Sequence, residues 1–129
     1  MPNNSARILI IEDDQLVASY IEDVLTEAGF TVAGIVASGN EALVLAAQHP
    51  LQLALVDIQL PGPMDGIELA RLMRLEFNVP TIFLSGLIDP NTIRRAETAQ
   101  PLGFLHKPFV PSRLFNAIEL ALAAIEIGE

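Results

Sequence analysis

Two short runs of apolar, mostly branched residues constrain the fold of this chain more than any other feature. They occupy residues 8–11 and 53–56, and an acid follows each of them, Glu12 after the first and Asp57 after the second. A strand without polar residues on either face has to be covered on both faces, as in the centre of a parallel sheet. The two runs therefore predict a parallel sheet with acids at the ends of its central strands.

Strands and helices alternate along the rest of the sequence. Three further strands are predicted at residues 32–36, 81–84 and 104–105, which makes five in total. The first helix is indicated by apolar residues at helical spacing that stop before Gly29, namely Leu16, Val17, Tyr20, Ile21, Val24, Leu25 and Ala28. Four more helices are predicted at residues 40–49, 66–77, 90–99 and 111–127. This order predicts an α/β fold, a doubly wound five-stranded parallel sheet with helices on both faces.

Size and composition exclude several classes of protein. A chain of 129 residues is long enough for one compact domain, so we expect a single domain over residues 1–129. The formal net charge of −9 disfavours binding to nucleic acid, and the absence of cysteine excludes a disulfide framework or a thiolate nucleophile. The apolar runs are much shorter than the roughly 18 residues of a membrane span, so we expect no membrane insertion and a cytoplasmic location.

Polar residues that follow four of the predicted strands form the candidate site. Ligands of open α/β sheets bind at the carboxyl ends of the strands. The residues found there are Glu12, Asp13 and Asp14 after strand one, Asp57 after strand three, Ser85 after strand four and Lys107 after strand five. Carboxylates that lie close together repel one another, and oxygen ligands of this kind suit Mg²⁺. The charges of Mg²⁺ and Lys107 would balance those of Glu12, Asp13 and Asp57.

Each of these residues also has a simpler explanation when it is considered alone. Asp14 has the residue type and position of a helix cap, and Asp57 or Ser85 could belong to an ordinary turn. Lys107 could be a solvated lysine before a proline in a trans peptide bond. A common function is favoured because all of them are predicted to meet at the same edge of the sheet.

Five segments together indicate a known family: ILIIEDD at residues 8–14, LVDIQLP at 55–61, MDG at 64–66, FLSG at 83–86 and GFLHKPF at 103–109. In this order and spacing they make the sequence resemble the receiver domain of two-component response regulators, the family related to the bacterial chemotaxis regulator. The resemblance covers nearly the whole chain. It implies the flavodoxin-like strand order 2-1-3-4-5.

The resemblance also assigns roles to individual residues. It implies that Asp57 is the phosphoacceptor, that Ser85 and Lys107 contact the phosphoryl group, and that Phe104 is the switch residue. The implied ligands of Mg²⁺ are Asp57, Asp13, Glu12 acting mainly through water, and the backbone carbonyl of Gln59. The family further implies a cis peptide bond between Lys107 and Pro108.

The resemblance implies the function of a bacterial response regulator. Because the last predicted helix ends two residues before the end of the sequence, we expect no effector domain. Its phosphoryl donor would be a sensor histidine kinase or a histidine phosphotransfer protein, and its only catalysis would be the transfer and loss of its own phosphoryl group.

We expect the fourth helix to be weakly attached, because it has few large apolar residues beyond Ile93. The predicted output surface, from the fourth helix to the fifth, includes Ile93, Phe104, His106 and Phe115. It would bind a downstream protein or a second copy in a homodimer.

Three alternatives remain at this stage. The main one is a receiver that is never phosphorylated and acts as an adaptor through binding or dimerisation. A Mg²⁺-dependent aspartyl-phosphate hydrolase would normally have an acid where this chain has Gln59. A flavodoxin-like cofactor protein would need a phosphate-binding loop after strand one, where the acids would repel phosphate.

The sequence departs from the family pattern in the site loops. The loop at residues 61–63 is one residue longer than the family pattern, Ser85 replaces the commoner threonine, and Gly86 follows it. Because glycine has no side chain, the space at Gly86 could admit water beside the phosphoryl group. The last helix is apolar on more than one face, which fits either burial or association with a partner.

Overall fold

The computed structural model describes residues 6–127. Its five strands are β1 (Arg7–Ile11), β2 (Thr31–Val36), β3 (Leu53–Asp57), β4 (Thr81–Ser85) and β5 (Gly103–His106). Its five helices are α1 (Gln15–Glu27), α2 (Gly39–Gln48), α3 (Gly66–Phe77), α4 (Pro90–Glu97) and α5 (Pro111–Glu126). No helix among the described residues has the length and apolar character needed to span a membrane.

The five strands form one parallel sheet in the order β2-β1-β3-β4-β5, which confirms the predicted fold class and strand order. The register aligns the carboxyl ends of the strands. Ile11 lies beside Val56, Asp57 beside Leu84, and Ser85 beside His106. The polar residues at these strand ends are therefore brought to one edge of the sheet.

Alternate residues of the strands pack into two apolar cores, one on each face of the sheet. Ile8, Ile10 and Leu55 pack with α1 and α5 on one face, whereas Leu9 and Val56 pack with α2 and α3 on the other. All residues of β3 and β4 are buried. This double burial explains why the central strands have apolar side chains on both faces.

Several predicted boundaries were wrong by one or two residues. β3 and β4 continue through Asp57 and Ser85, and β5 extends to residues 103–106 because it pairs with β4 along its length. Helix α2 begins and ends one residue earlier than predicted because Ser38 caps it. Helix α4 ends at Glu97 rather than residue 99, where the chain tightens into turns and Gln100 adopts a positive φ of 53°. Helix α5 ends at Glu126, one residue early.

Helix α1 begins and ends where its capping residues in the sequence indicate. Asp14 is the N-cap, and its carboxylate accepts hydrogen bonds from the backbone N–H groups of Leu16 and Val17. Gly29 follows the helix with a φ of 92°, a conformation that glycine adopts without steric cost. Helix α1 therefore begins directly after Glu12 and Asp13, which fixes those acids at the sheet edge.

Candidate functional site

The candidate site lies at the carboxyl edge of the sheet, between the ends of β1, β3, β4 and β5. Glu12, Asp57 and Ser85 are buried there, with 2%, 5% and 3% of their surfaces exposed, whereas Asp13 is exposed. One carboxylate oxygen from each of Glu12, Asp13 and Asp57 can be chosen so that the three lie within 4.8 Å of one another. The structure thus brings together the three acids that the sequence predicted to meet.

Lys107 supplies the positive charge of this site. Its Nζ lies 2.7 Å from Glu12 Oε1 and 3.4 Å from Asp57 Oδ2. Its backbone N–H donates to the carbonyl oxygen of Ser85 at 2.6 Å, which fixes the start of the loop after β5. The peptide bond between Lys107 and Pro108 is cis. The ammonium group therefore faces both buried acids.

Backbone donors fix the two buried carboxylates. Glu12 Oε2 accepts from the N–H of Asp14 at 3.1 Å, and Asp57 Oδ1 accepts from the N–H of Gln59 at 3.0 Å. Asp57 Oδ1 is thereby held by the loop, while Oδ2 faces Lys107. The two oxygens of Asp57 are consequently not equivalent.

Burial and charged neighbours shift the pKa values of Asp57 and Lys107. Burial raises the pKa of Asp57 to about 6; the N–H of Gln59 and the charge of Lys107 lower it, while the neighbouring Glu12 raises it further. Burial alone would lower the pKa of Lys107, but its contact with Glu12 and the charge of Asp57 outweigh burial and raise that pKa. A cation bound beside Asp57 would lower its pKa and favour its ionised form.

We expect the contribution of Asp57 to stability to decrease as pH rises from about 4 to about 6. Because the folded pKa is raised from 3.8 to about 6, the folded state holds a proton that the unfolded state has released in this range. Stability is therefore lost on raising the pH, by about 3 kcal/mol at most, since one pKa unit corresponds to about 1.4 kcal/mol.

Urea unfolding in metal-free buffer at several pH values, with the curve of Asp57→Asn subtracted, measures this contribution. A difference that does not change between pH 4 and pH 7 would contradict it. Excess Mg²⁺ should reduce the loss, because a cation stabilises the ionised carboxylate.

The donor set fits a hard divalent cation. All three side chains offer carboxylate oxygens, which Mg²⁺ prefers. Among residues 6–127, Glu12 Oε1 is the buried side-chain polar atom that lacks a partner with hydrogen-bond geometry, although the Lys107 ammonium is close to it. Glu12, Asp13 and Asp57 are therefore suited to holding Mg²⁺, directly or through water.

The neighbouring residues of the site differ in exposure. Gln59, whose carbonyl was the fourth predicted ligand, lies in the exposed part of the loop after Asp57. A Cβ added at Gly86 would meet nothing within 4 Å, so the space beside Ser85 is open. Gly62, in the loop with the inserted residue, has a φ of 98° and equally open surroundings.

The four residues predicted for an output surface lie on α4, β5 and α5. Phe104 and His106 lie exposed on the same face of β5, and the Phe104 ring packs on Phe83 with a centroid distance of 5.7 Å. Ile93 is 40% exposed on α4. The Phe115 ring packs instead on Phe30, just before β2, with a centroid distance of 6.2 Å.

The final helix combines a buried and an exposed apolar side. Leu114, Ile118, Ala121 and Leu122 are buried against the sheet, whereas Leu120 is 73% exposed. Burial thus accounts for four of the ten apolar residues of α5, whereas Phe115, Leu120 and Ala123 are exposed.

Sequence reasoning missed two contacts that support the site. Gly66 lies so close to the backbone of Asp57 that an added Cβ would be 2.1 Å from its carbonyl oxygen. Asp65 caps α3 and pairs with Arg95 of α4 at 3.1 Å. The Met64-Asp65-Gly66 motif could have indicated the first contact, but nothing in the sequence pairs Asp65 with a residue 30 positions away.

An apolar groove of about 450 Å³ lies beside the acids. Its lining residues are Leu16, Val17, Tyr20, Lys107, Pro108 and Phe109. Leu16 is 83% exposed at the start of α1. Lys107 belongs to both the groove and the acidic site, so a molecule bound in the groove would lie next to Asp57.

Comparisons with known proteins point to one protein family. Residues 8–119 match the family model described as the response regulator receiver domain. The sequence is 33% identical over 91% of its length to the transcriptional regulatory protein PdtaR of Mycobacterium tuberculosis, and the match spans 57% of that relative. The chain is thus equivalent to little more than half the length of this relative.

Solved structures show the same similarity. The signal receiver domain of a modulated diguanylate cyclase from Desulfovibrio desulfuricans superposes with a TM-score of 0.92 and 34% identity, covering 97% of this chain and 99% of that one. A CheY-like response regulator receiver domain protein from Methanospirillum hungatei gives a TM-score of 0.88 and 28% identity, covering 97% and 99%.

Proposed function

The chain belongs to the response regulator receiver domain family, and on this premise we propose that it accepts a phosphoryl group on Asp57 and signals by phosphorylation-dependent protein binding. The observation that carries the proposal is the position of Lys107 Nζ, which lies 3.4 Å from Asp57 Oδ2 beside three clustered carboxylates. This arrangement combines a nucleophilic oxygen with a cation close to it. It matches the charge requirements of phosphoryl transfer.

In the proposed reaction Asp57 Oδ2 attacks the phosphorus of a phosphohistidine donor. A P–O bond forms as the P–N bond breaks, and the leaving imidazole nitrogen keeps the electron pair and takes a proton from solvent. Oδ1 is held by the N–H of Gln59, so Oδ2 is the oxygen free to react. Bound Mg²⁺ would neutralise the developing charge on the phosphoryl oxygens.

The residues around Asp57 have separate roles in this proposal. Lys107 pairs with a phosphoryl oxygen, for which its ammonium is already placed. The Ser85 hydroxyl, at the buried end of the neighbouring strand, donates to another phosphoryl oxygen. Glu12 and Asp13, together with Asp57 and the carbonyl of Gln59, hold Mg²⁺.

The groove lined by α1 and the loop after β5 is the proposed contact for the phosphoryl donor. Its lining is mainly apolar, Leu16 is exposed at its rim, and Lys107 connects it to the acids. A sensor histidine kinase or a histidine phosphotransfer protein fits this surface as an apolar helical partner. The cytoplasmic and bacterial setting remains a prediction.

Intact-mass spectrometry after incubation with phosphoramidate tests the proposed function. We expect a gain of one phosphoryl group when Mg²⁺ is present and little or none in excess chelator. Reductive trapping and peptide mapping should place the group on Asp57. No gain under any condition would contradict the phosphorylation proposal and favour the adaptor that acts by binding alone.

The proposed output surface comprises α4 and the exposed face of β5. Among the residues of α4 only Ala96 is buried, and polar contacts from α3 hold the helix, including the pair between Asp65 and Arg95. Phe104 is 42% exposed and can pack more deeply if α4 moves. A downstream protein or a second copy of the chain would bind the altered surface.

We expect phosphorylation to change amide hydrogen exchange in α4 more than in α1. A helix held by one buried alanine and exposed polar contacts opens at a low free-energy cost. Exchange is measured by mass spectrometry with and without phosphoramidate. Equal changes in α1, whose residues Ala18, Ile21 and Leu25 are buried, would contradict a specific response of α4.

A further inference from the structure

Tyr20 makes a contact that none of the assigned roles uses. Its hydroxyl donates to the backbone carbonyl of Phe109 at 3.1 Å, although the two residues are 89 positions apart. Its ring also packs on the ring of Phe109, with a centroid distance of 5.8 Å. Phe109 lies two residues after Lys107, so Tyr20 contacts the segment that carries the ammonium group of the site.

Backbone hydrogen bonds hold the two ends of this segment, residues 107–110, and Tyr20 holds its middle. Pro108 and Pro111 have no N–H to donate. The N-cap of α5 is Val110, whose side chain makes no capping hydrogen bond. Among the side-chain hydrogen bonds of residues 6–127, that of Tyr20 is the one that reaches residues 107–111. The N–H of Lys107 donates to Ser85, and the carbonyl of Val110 accepts from the N–H groups of Arg113 and Leu114 in α5. Between these two ends, the hydrogen bond from Tyr20 holds the backbone at Phe109.

Helix α1 connects this contact to the acids. The helix begins at Gln15, directly after Glu12 and Asp13, and Tyr20 lies on it close to the segment. The ammonium of Lys107 pairs with Glu12 at 2.7 Å, while two residues later the segment is bound to α1. The distance between Lys107 and Asp57 therefore depends both on the ion pair of Lys107 with Glu12 and on the hydrogen bond of Tyr20 with Phe109.

We infer that Tyr20 is a positioning residue whose hydroxyl holds residues 107–110 so that Lys107 faces Asp57. This inference rests on the proposed function for its effect on phosphorylation. Losing the hydroxyl would let the segment shift and would move Lys107 Nζ away from the incoming phosphoryl group. The expected loss of rate is about five-fold, comparable to the net contribution of one hydrogen bond.

Tyr20→Phe removes only the hydroxyl and keeps the ring contact with Phe109. Thr98→Val is the control, since it removes a hydroxyl just after α4 that donates to the carbonyl of Arg95 at 2.6 Å and accepts from the guanidinium of Arg71 at 2.5 Å. Phosphorylation by phosphoramidate with Mg²⁺ should be about five-fold slower in Tyr20→Phe and unchanged in Thr98→Val. Equal rates in Tyr20→Phe and the wild type, or equal slowing in both variants, would overturn the inference.

A second measurement does not depend on phosphorylation. Urea unfolding of the wild type, Tyr20→Phe, Lys107→Ala and the double variant gives a double-mutant cycle. If the hydroxyl positions Lys107, the two effects are not additive; if it only ties α1 to the loop, they add and the inference fails. A wild type that takes up no phosphoryl group would refute the proposed function, and the cycle would still decide whether Tyr20 and Lys107 are coupled.

Discussion

Asp57→Asn is expected to abolish phosphoryl uptake completely while the chain remains folded. The amide has nearly the shape of the carboxylate, but it lacks the nucleophilic oxygen that faces Lys107 in the wild type. The fold should not suffer, because a neutral group at a 5% exposed position avoids the burial cost that raises the pKa of Asp57 to about 6. Intact-mass spectrometry with phosphoramidate and Mg²⁺ measures the loss.

The matched control for this variant is Asp14→Asn. Asp14 follows the two acids at the end of β1, but its carboxylate caps α1, and asparagine caps helices equally well. Asp14→Asn should keep both uptake and stability. If Asp57→Asn still gained a Mg²⁺-dependent phosphoryl group, Asp57 would not be the acceptor, and the assignment of the whole site would be wrong.

Gly66→Ala is expected to destabilise the fold by about 3 kcal/mol, at the upper end of what overpacking in a dense core costs. The added Cβ would lie 2.1 Å from the carbonyl oxygen of Asp57 and 2.9 Å from the Cα of Ile58. Both atoms are backbone, so no side chain can rotate away. Either α3 or the end of β3 has to shift, and that shift also moves Asp57.

Gly86→Ala is the matched control, because an added Cβ there meets nothing within 4 Å. We expect it to change the free energy of unfolding by no more than about 0.5 kcal/mol, as surface substitutions usually do. Urea unfolding of both variants and the wild type compares them directly. Similar stabilities of Gly66→Ala and Gly86→Ala would show that the close approach of α3 to Asp57 is not a constraint.

The sequence predicted the fold class because burial on both faces leaves a clear pattern. Residues 8–11 and 53–56 have the pattern of central strands, and their order with the helices led to a parallel doubly wound sheet. The same pattern predicted that the acids after these strands meet, since parallel strands align their carboxyl ends. The edge strand β5 was harder to predict, because only Leu105 among its four residues is buried.

The boundaries of helices and strands depend on local contacts that are hard to predict from the sequence. Helix α4 was predicted to reach residue 99, yet it ends at Glu97 because Gln100 adopts a positive φ and the preceding N–H groups form tight turns. The contact of Phe115 with Phe30 was also not predicted from the sequence. The direction of a side chain on a helix that is apolar on several sides is decided by its neighbours, here Phe30.

The sequence by itself determined the doubly wound sheet and which residues end its strands, because burial and strand ends are properties of short segments. Only the tertiary structure decided how these residues meet. The pairing of Lys107 with Glu12 and Asp57 and the contact of Tyr20 with Phe109 join residues that are 50 or more positions apart. Such distances and charges arise only when the sheet is assembled, because no single segment contains both partners.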